Sequence, residues 1–140
     1  MSIVRSALLF ACLPLIAGLV TGCAEMQYQD QTKKLDQAVR SYIRAIRWGD
    51  LGAAASYIRP REGTVEPPDL SKLKGLRVTR YDYAIDSEEQ GAPEALMTVS
   101  FDYYFEDTLS VKKVYQQATW WWDPEVQNWF MDGSLPEFER

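Results

Sequence analysis

Apolar residues between positions 31 and 48 recur at the spacing of an amphipathic helix. The stripe consists of Leu35, Val39, Tyr42, Ile43 and Ile46. Residues three and four apart share one helix face, so this spacing predicts a helix over about residues 31–48. Gly49 and Asp50 then provide a C-terminal cap and the N-cap of a second, short helix. That helix is predicted to end near residue 58, because Pro60 stops it.

From Leu76 onward the apolar period changes to two, which predicts strands. The predicted strands are residues 76–85, 95–107, 109–122 and 129–132. The second strand alternates cleanly, and its apolar face is Ala95, Met97, Val99, Phe101, Tyr103 and Phe105. A shift of phase near Arg80 predicts a β-bulge in the first strand. Helices followed by a strand meander predict an α+β fold, with the N-terminal helices packed on the concave face of a curved four-stranded antiparallel sheet.

Three consecutive tryptophans stand near the end of the third strand, at Trp120, Trp121 and Trp122. Successive side chains of a strand point to opposite faces, so the three rings cannot all enter one core. The two phases of this strand carry equal numbers of apolar residues. One set is Leu109, Val111, Tyr115 and Trp121, and the other is Val114, Ala118, Trp120 and Trp122.

We expect a hairpin through residues 123–128, with Trp121 and Trp129 on the buried concave side. Trp120 and Trp122 would then lie on the convex side. The expected cover for them is the C-terminal tail, at Leu135 and Phe138. The alternative is that Trp120 and Trp122 form an exposed aromatic patch that binds a partner.

The first residues have the layout of a secretion signal. Arg5 precedes an apolar run from residue 7 to residue 20, which Pro14 and Gly18 interrupt. A membrane-spanning helix needs about 20 apolar residues without such breaks. The pattern therefore favours a cleaved signal over a permanent anchor.

The end of this run, Val20-Thr21-Gly22-Cys23, resembles the lipobox of bacterial lipoproteins. The resemblance implies cleavage before Cys23 and acylation of its thiol. Two or three acyl chains hold a membrane firmly, since each buried methylene contributes about 0.8 kcal/mol. By the sorting rule of that family, Ala24 after the cysteine implies the outer membrane, with the domain facing the periplasm. The chain then divides into a signal peptide (residues 1–22), a lipidated N-terminus with a short linker (23–30) and one domain (31–140).

The charge, the absence of histidine and the positions of the cysteines exclude several kinds of site in that domain. The chain carries a formal charge of −5, and removal of residues 1–22 takes away Arg5 and no acidic residue, which gives −6. An acidic domain without a basic stripe is a poor nucleic-acid binder. The sequence has no histidine, which excludes histidine metal sites and histidine acid–base steps. We therefore expect no metal and no cofactor. Cys12 leaves with the signal and Cys23 carries lipid, so no disulfide is expected.

The order of elements resembles the nuclear transport factor 2-like superfamily, the cone-shaped cystatin-like fold. The residues that carry the resemblance are AVRSYIRAIRWGDLGAAASYI and WWWDPEVQNWFMDGSLPEF. The resemblance implies a pocket between the sheet and the helices. The candidate lining residues are Tyr42, Tyr57, Phe101, Tyr103 and Tyr115. Because this fold hosts many functions, it does not by itself give one.

The leading hypothesis is a non-catalytic binding or envelope-interaction module held at the membrane by its lipid. The expected partners are an envelope protein or a small apolar ligand, and the sequence leaves a homodimer open. The alternative is a histidine-free isomerase- or hydratase-like enzyme that uses aspartate and tyrosine. Alternation places Asp82 and Asp102 on the outward face of their strands, so no catalytic residue is assigned.

The lipobox generates the first testable prediction. Cys23→Ala should abolish metabolic labelling with a fatty acid and release the chain from membranes, because the acylated thiol is lost. Cys12→Ala is the matched control and should leave labelling unchanged. Labelling that persists in Cys23→Ala would contradict the assignment.

Overall fold

The structure is a computed structural model that describes residues 21–64 and 66–140, with side chains from Met26 onward. Residues 1–20, including Val20, lie outside the described residues, and so does the side chain of Cys23. The signal peptide and the lipidation of Cys23 therefore stay predictions.

A long helix and a short helix precede four strands. The elements are α1 (Thr21–Trp48), α2 (Leu51–Ala55), a 3₁₀ turn (Leu70–Leu73), β1 (Leu76–Asp86), β2 (Glu94–Phe105), β3 (Lys112–Asp123) and β4 (Asn128–Asp132). The strands form one open sheet in the order β1-β2-β3-β4, and every neighbouring pair is antiparallel. The predicted α+β class, with a four-stranded antiparallel sheet after a long N-terminal helix, is confirmed.

The turn between the two helices forms as the sequence predicts. Gly49 has a φ of 76°, a left-handed conformation that glycine adopts without steric cost. The Asp50 carboxylate accepts a hydrogen bond from Ala53 N at 3.1 Å, which makes it the N-cap of α2. The second helix is shorter than expected and ends at Ala55.

Helix α1 begins before residue 31 and includes the segment that the sequence suggested as a linker. Tyr28 packs on Gly91 in the turn between β1 and β2, where a larger residue would collide with its ring. Gln31 Nε2 donates to Ala92 O at 3.1 Å in the same turn. These contacts hold the N-terminal part of α1 at the end of the sheet that carries the β1–β2 turn.

Strand β2 has one buried face, as its alternation predicts. Residues Ala95, Met97, Val99, Phe101, Tyr103 and Phe105 are all buried. Together with Val39, Tyr42, Ile43 and Ile46 of α1 they form the centre of the core. We call this side of the sheet the inner face and the opposite side the outer face. The bulge predicted near Arg80 is confirmed, because the register of β1 against β2 shifts between Val78 and Arg80.

The phase expected for the tryptophans is wrong. Residues directly opposite each other in neighbouring strands share a face, and Ala95 of β2 lies opposite Trp120. Trp120 is therefore an inner-face residue and is fully buried. Trp122 also points inward, opposite Trp129 of β4, whereas Trp121 lies on the outer face opposite Phe130. Trp121 and Trp129 were expected on the same buried side of the sheet, but only Trp129 lies on the inner face.

The predicted start of the third strand is also wrong. Leu109 has a φ of 52° and donates its N–H to Phe105 O, so it belongs to the turn after β2. Leu109 and Val111 are exposed, and β3 begins at Lys112. Without these two residues, the phase that contains Trp120 and Trp122 is the more apolar one.

The C-terminal tail buries Leu135 and Phe138, as expected for a cover. It does not cover Trp120 and Trp122 on a convex side, which is the position expected from the sequence. Leu135 and Phe138 belong to the inner-face core. The Phe138 ring lies 4.9 Å from the Tyr103 ring and 6.0 Å from the Phe101 ring, between centroids. The Tyr103 hydroxyl also exchanges hydrogen bonds with the backbone of Glu139. The tail therefore covers the middle of β2.

Phe101 tests the packing of the inner face. Phe101→Ala should lower the free energy of unfolding by about 3–5 kcal/mol, because it removes a fully buried ring and leaves a cavity. Thr98→Ala on the outer face of the same strand is the control, with an expected change within about 0.5 kcal/mol. Urea unfolding measures both. Equal losses would contradict the assignment of the two faces.

Candidate functional site: the outer sheet face and the open edge of β3

Most tyrosines predicted to line a pocket fill the space between α1 and the sheet. Tyr42 is fully buried, with its ring edge-on to Trp120 at 5.8 Å and to Tyr57 at 6.5 Å, between centroids. Tyr57 is half-buried beside them. Phe101 and Tyr103 are buried under Phe138. Four of the five candidate lining residues are thus part of the core and its rim.

The fifth candidate, Tyr115, lies on the other side of the sheet. Its side chain is 76% exposed on the outer face of β3. The phase of β3 explains this position, because Tyr115 belongs to the same set as Trp121. The structure therefore does not bring Tyr115 together with the other four residues.

Gln116 connects three elements on the inner face. Its Oε1 accepts a hydrogen bond from the Tyr42 hydroxyl at 2.9 Å. Its Nε2 donates to Ser134 O at 2.7 Å, where the tail begins. Burial raises the pKa of the Tyr42 hydroxyl, and the bond to Gln116 only partly offsets this increase. Tyr42 therefore stays protonated at neutral pH and is a structural donor.

Trp120 Nε1 is a buried polar atom without a hydrogen-bond partner among the described residues. The rings of Tyr42 and Tyr57 each lie 5.8 Å from the indole, between centroids. Aromatic pairs at this distance stabilise a buried ring by about 0.5–1.5 kcal/mol beyond the burial of its area, which offsets part of the cost of the unpaired N–H. Full burial of Trp120 also removes it from the exposed patch that the sequence suggested as an alternative.

Trp121 and Trp122 are each covered by a different part of the chain. On the outer face, Trp121 Nε1 donates to Arg59 O at 2.9 Å, and the Arg59 guanidinium lies 3.7 Å from the centre of the Phe130 ring. On the inner face, Trp122 packs on Trp129 at 5.7 Å and under the Lys34 ammonium at 5.6 Å. The outer aromatic pair is thus hidden by Arg59 rather than by the tail.

Beyond Trp121 the outer face is polar and is arranged in rows across three strands. The register places Asp82, Ser100 and Tyr115 in one row, and Ala84, Thr98 and Gln117 in the next. These residues line a shallow depression of about 620 Å³. We call the five polar members, Asp82, Thr98, Ser100, Tyr115 and Gln117, the polar face.

The side chains of the polar face have no hydrogen-bond partner within the described part of the chain. A neighbouring row differs, because Asp102 forms an ion pair with Lys113 at 3.2 Å. The polar face thus offers a carboxylate, hydroxyl groups and an amide around one exposed aromatic ring. Such a set of free donors and acceptors suits binding through directed hydrogen bonds.

Asp82 and Asp102 point outward, as the alternation predicts. Asp82 and Tyr115 share a row, but two strand spacings, or about 10 Å, separate them. Across residues 26–64 and 66–140, both tyrosine hydroxyls that hydrogen-bond to the protein have neutral partners, Gln116 and the Glu139 backbone. The described residues also contain no cluster of three or more aspartate, glutamate or cysteine side chains able to hold a metal.

The polar face borders a stretch of open strand edge. Strand β4 pairs with β3 only from Thr119 to Asp123, so residues 112–118 have no strand partner on that side in the described part of the chain. The tail passes nearby and forms the second wall of a groove of about 580 Å³. Val114, Leu135 and Pro136 contribute its apolar lining, and Lys113 and Glu137 contribute charge.

Comparison of the chain with protein-family models, curated proteins and solved structures gave no match. None of the described helices combines the length and apolarity that crossing a membrane requires. Only the geometry of the described residues therefore supports the candidate site.

Sequence reasoning missed Gln116 and the rows of the polar face. Gln116 belongs to the inner phase of β3, but that phase was tied with the other one in the sequence. The rows depend on which residues of β1, β2 and β3 lie opposite one another. The clean alternation of β2 predicts that Thr98 and Ser100 point outward, so these two members of the rows could have been found from the sequence.

Tyr42 yields a pH-dependent prediction. Its pKa is higher in the folded chain than the value of about 10 expected on unfolding. The stability that this difference contributes is complete below about pH 10 and is lost as the pH rises further, because only the unfolded chain then ionises Tyr42. Tyr42→Phe should lose less stability between about pH 8 and about pH 10.5 than the unchanged chain does in urea unfolding.

Tyr115→Phe is the matched control, since it removes an exposed phenol. It should retain the pH dependence of the unchanged chain. At pH 8, Tyr42→Phe should itself cost about 1 kcal/mol, because Gln116 Oε1 loses its donor. If Tyr42→Phe and Tyr115→Phe had the same pH dependence, Tyr42 would not be the buried phenol described above.

Proposed function

We propose that this chain is a lipid-anchored protein of the bacterial cell envelope whose domain is a non-catalytic binding module. Acylated Cys23 holds it in the outer membrane, facing the periplasm. The domain is of the nuclear transport factor 2-like type, with its helices on the concave face of the sheet. The lipobox supports the anchor, and the order of helices and strands supports the fold type.

The polar face is the observation that carries the binding role. Five polar side chains without partners among the described residues surround a depression on a sheet face that none of the described helices covers. The interior, in contrast, is occupied by buried rings such as Tyr42 and Phe101. A ligand therefore finds free hydrogen-bonding groups on the outside of the sheet rather than between sheet and helix.

Helix α1 fixes how the anchor orients the domain. Cys23 lies five residues before Tyr28, which packs on the β1–β2 turn, and a helix rises about 1.5 Å per residue. The lipid would thus be only about 8 Å along the helix from this end of the sheet. Strand β3 runs toward the same end, so its open first half lies distal to the membrane and accessible from the periplasm.

Site-specific photocrosslinking in native membranes tests the binding role. A photoreactive residue at position 98, in the depression, should give a discrete adduct. The same residue at position 44, exposed on α1, should not. Tyr115→Ala should reduce the position-98 adduct by about tenfold or more, because exposed aromatic residues often dominate binding energy. Indistinguishable labelling from positions 98 and 44 would contradict a binding role for the polar face.

A further inference from the structure

Described residues block the backbone edges of the sheet at two places. The edge of β1 is interrupted by its bulge, and Arg47 Nη1 donates to Val78 O beside it. The outer edge of β4 pairs with the segment after α2, where Arg59 N donates to Met131 O at 2.9 Å and Met131 N donates to Tyr57 O at 2.8 Å. Bulges and covering segments are ordinary means of blocking strand addition. Within the described residues the first half of β3 has neither, and it differs from the free edge of β1 beyond the bulge because the tail forms a groove beside it.

The register shows which backbone groups face this opening. Trp122 N donates to Pro93 O at 2.9 Å, so Trp122 points its backbone groups toward β2. In an antiparallel strand both groups of one residue point to the same side, and neighbouring residues alternate. The pairing of β2 with β3 has no register shift. The N–H and C=O groups of Lys113, Tyr115 and Gln117 therefore point away from β2, into the groove.

These backbone groups have no backbone partner within the described residues. The tail does not supply one, because it is held near β3 by side chains, through Gln116 to Ser134 O and through Tyr103 to Glu139. The tail thus forms a wall while leaving the edge unpaired. The groove between that wall and β3 has a volume of about 580 Å³.

We propose that this open edge binds an extended segment of a partner protein, which joins the sheet as a strand beside Lys113, Tyr115 and Gln117. Backbone hydrogen bonds supply the affinity in such strand addition, and alternate side chains supply the specificity. Inward side chains of the segment meet Val114, Leu135 and Pro136 and are therefore apolar. Outward side chains lie beside Tyr115 and adjoin the polar face, so one ligand engages both features.

The anchor argues for a different protein rather than a second copy of this chain. This step rests on the proposed function. Antiparallel pairing of β3 with β3 of a second copy places a two-fold axis across the strands and reverses their direction. The two N-termini would then point to opposite ends of the joined sheet. Two such lipid anchors cannot enter one membrane while the strands stand upright on it.

Amide hydrogen exchange of the purified chain tests the geometry and the binding together. The probe is a peptide of alternating valine and threonine with lysine at both ends, as long as the open segment of β3. The amides of Lys113, Tyr115 and Gln117 should exchange faster than those of Val114, Gln116 and Ala118. The peptide at about 1 mM should slow the first set by about tenfold or more. A control peptide with proline at every second position should have no effect.

Two variants at one position separate backbone from side chain. Tyr115→Pro removes an N–H that the sheet does not use, which an edge strand tolerates, and it should abolish binding. Tyr115→Thr loses the same ring but keeps the N–H, so the peptide should bind it more tightly than it binds Tyr115→Pro. Circular dichroism and urea unfolding establish that each variant folds. If Tyr115→Pro fails to fold, the proline control peptide still decides the question.

Three outcomes would overturn the proposal. They are an absence of peptide protection, equal binding by Tyr115→Pro and Tyr115→Thr, and a homodimer that protects the same amides without peptide. Fatty-acid labelling and the position-98 crosslink report on the proposed function separately. If these two succeed and the peptide fails, only strand addition is lost. If the peptide binds and labelling fails, strand addition stands and the anchor is lost.

Discussion

The alternation of apolar and polar side chains along β2 is the constraint on which the remaining structure depends. This strand lies between β1 and β3, and its residues pair with both. Because opposite residues share a face, the inward set from Ala95 to Phe105 fixes which residues of β3 point inward. The same pairing places Ser100 and Thr98 between β1 and β3 residues on the outer face. One strand thus sets both the core and the polar face.

Side chains from outside the sheet determine what remains accessible. Arg59 covers the outer aromatic pair at one end, and the tail covers Phe101 and Tyr103 on the inner face. Each is held by specific hydrogen bonds, from Trp121 Nε1 to Arg59 O and between Tyr103 and Glu139. No other segment between residues 21 and 64 or between 66 and 140 covers the middle of the outer face or the first half of β3 in this way. The polar face and the first half of β3 are therefore accessible because neither the segment that carries Arg59 nor the C-terminal tail extends over them.

Helix α1 combines two roles that the sequence suggested were separate. Val39 and Tyr42, in the central part of the helix, are buried against the inner face. The first turns of the helix contact the β1–β2 turn through Tyr28 and Gln31. Gln31 O also accepts a hydrogen bond from Trp129 Nε1 at 3.0 Å. The segment next to Cys23 is therefore part of the folded domain. In a lipid-anchored chain, this attachment would orient the open edge of β3 away from the membrane.

The sequence by itself determined the elements whose apolar period is regular over many residues, which are helix α1 from about residue 31 onward and the two faces of β2. A break in the period of β1 also indicated the bulge near Arg80. The sequence also determined the cap at Asp50, because capping depends on neighbouring residues. The tertiary structure alone decided which face Trp120, Trp121 and Tyr115 occupy. Residues 109–122 are equally apolar in both phases, and only the start of β3 at Lys112 and its pairing with β2 distinguish the two. The tertiary structure alone also decided where the tail and Arg59 pack, and hence which edge stays open. These contacts join residues far apart in the chain, and no local period encodes them.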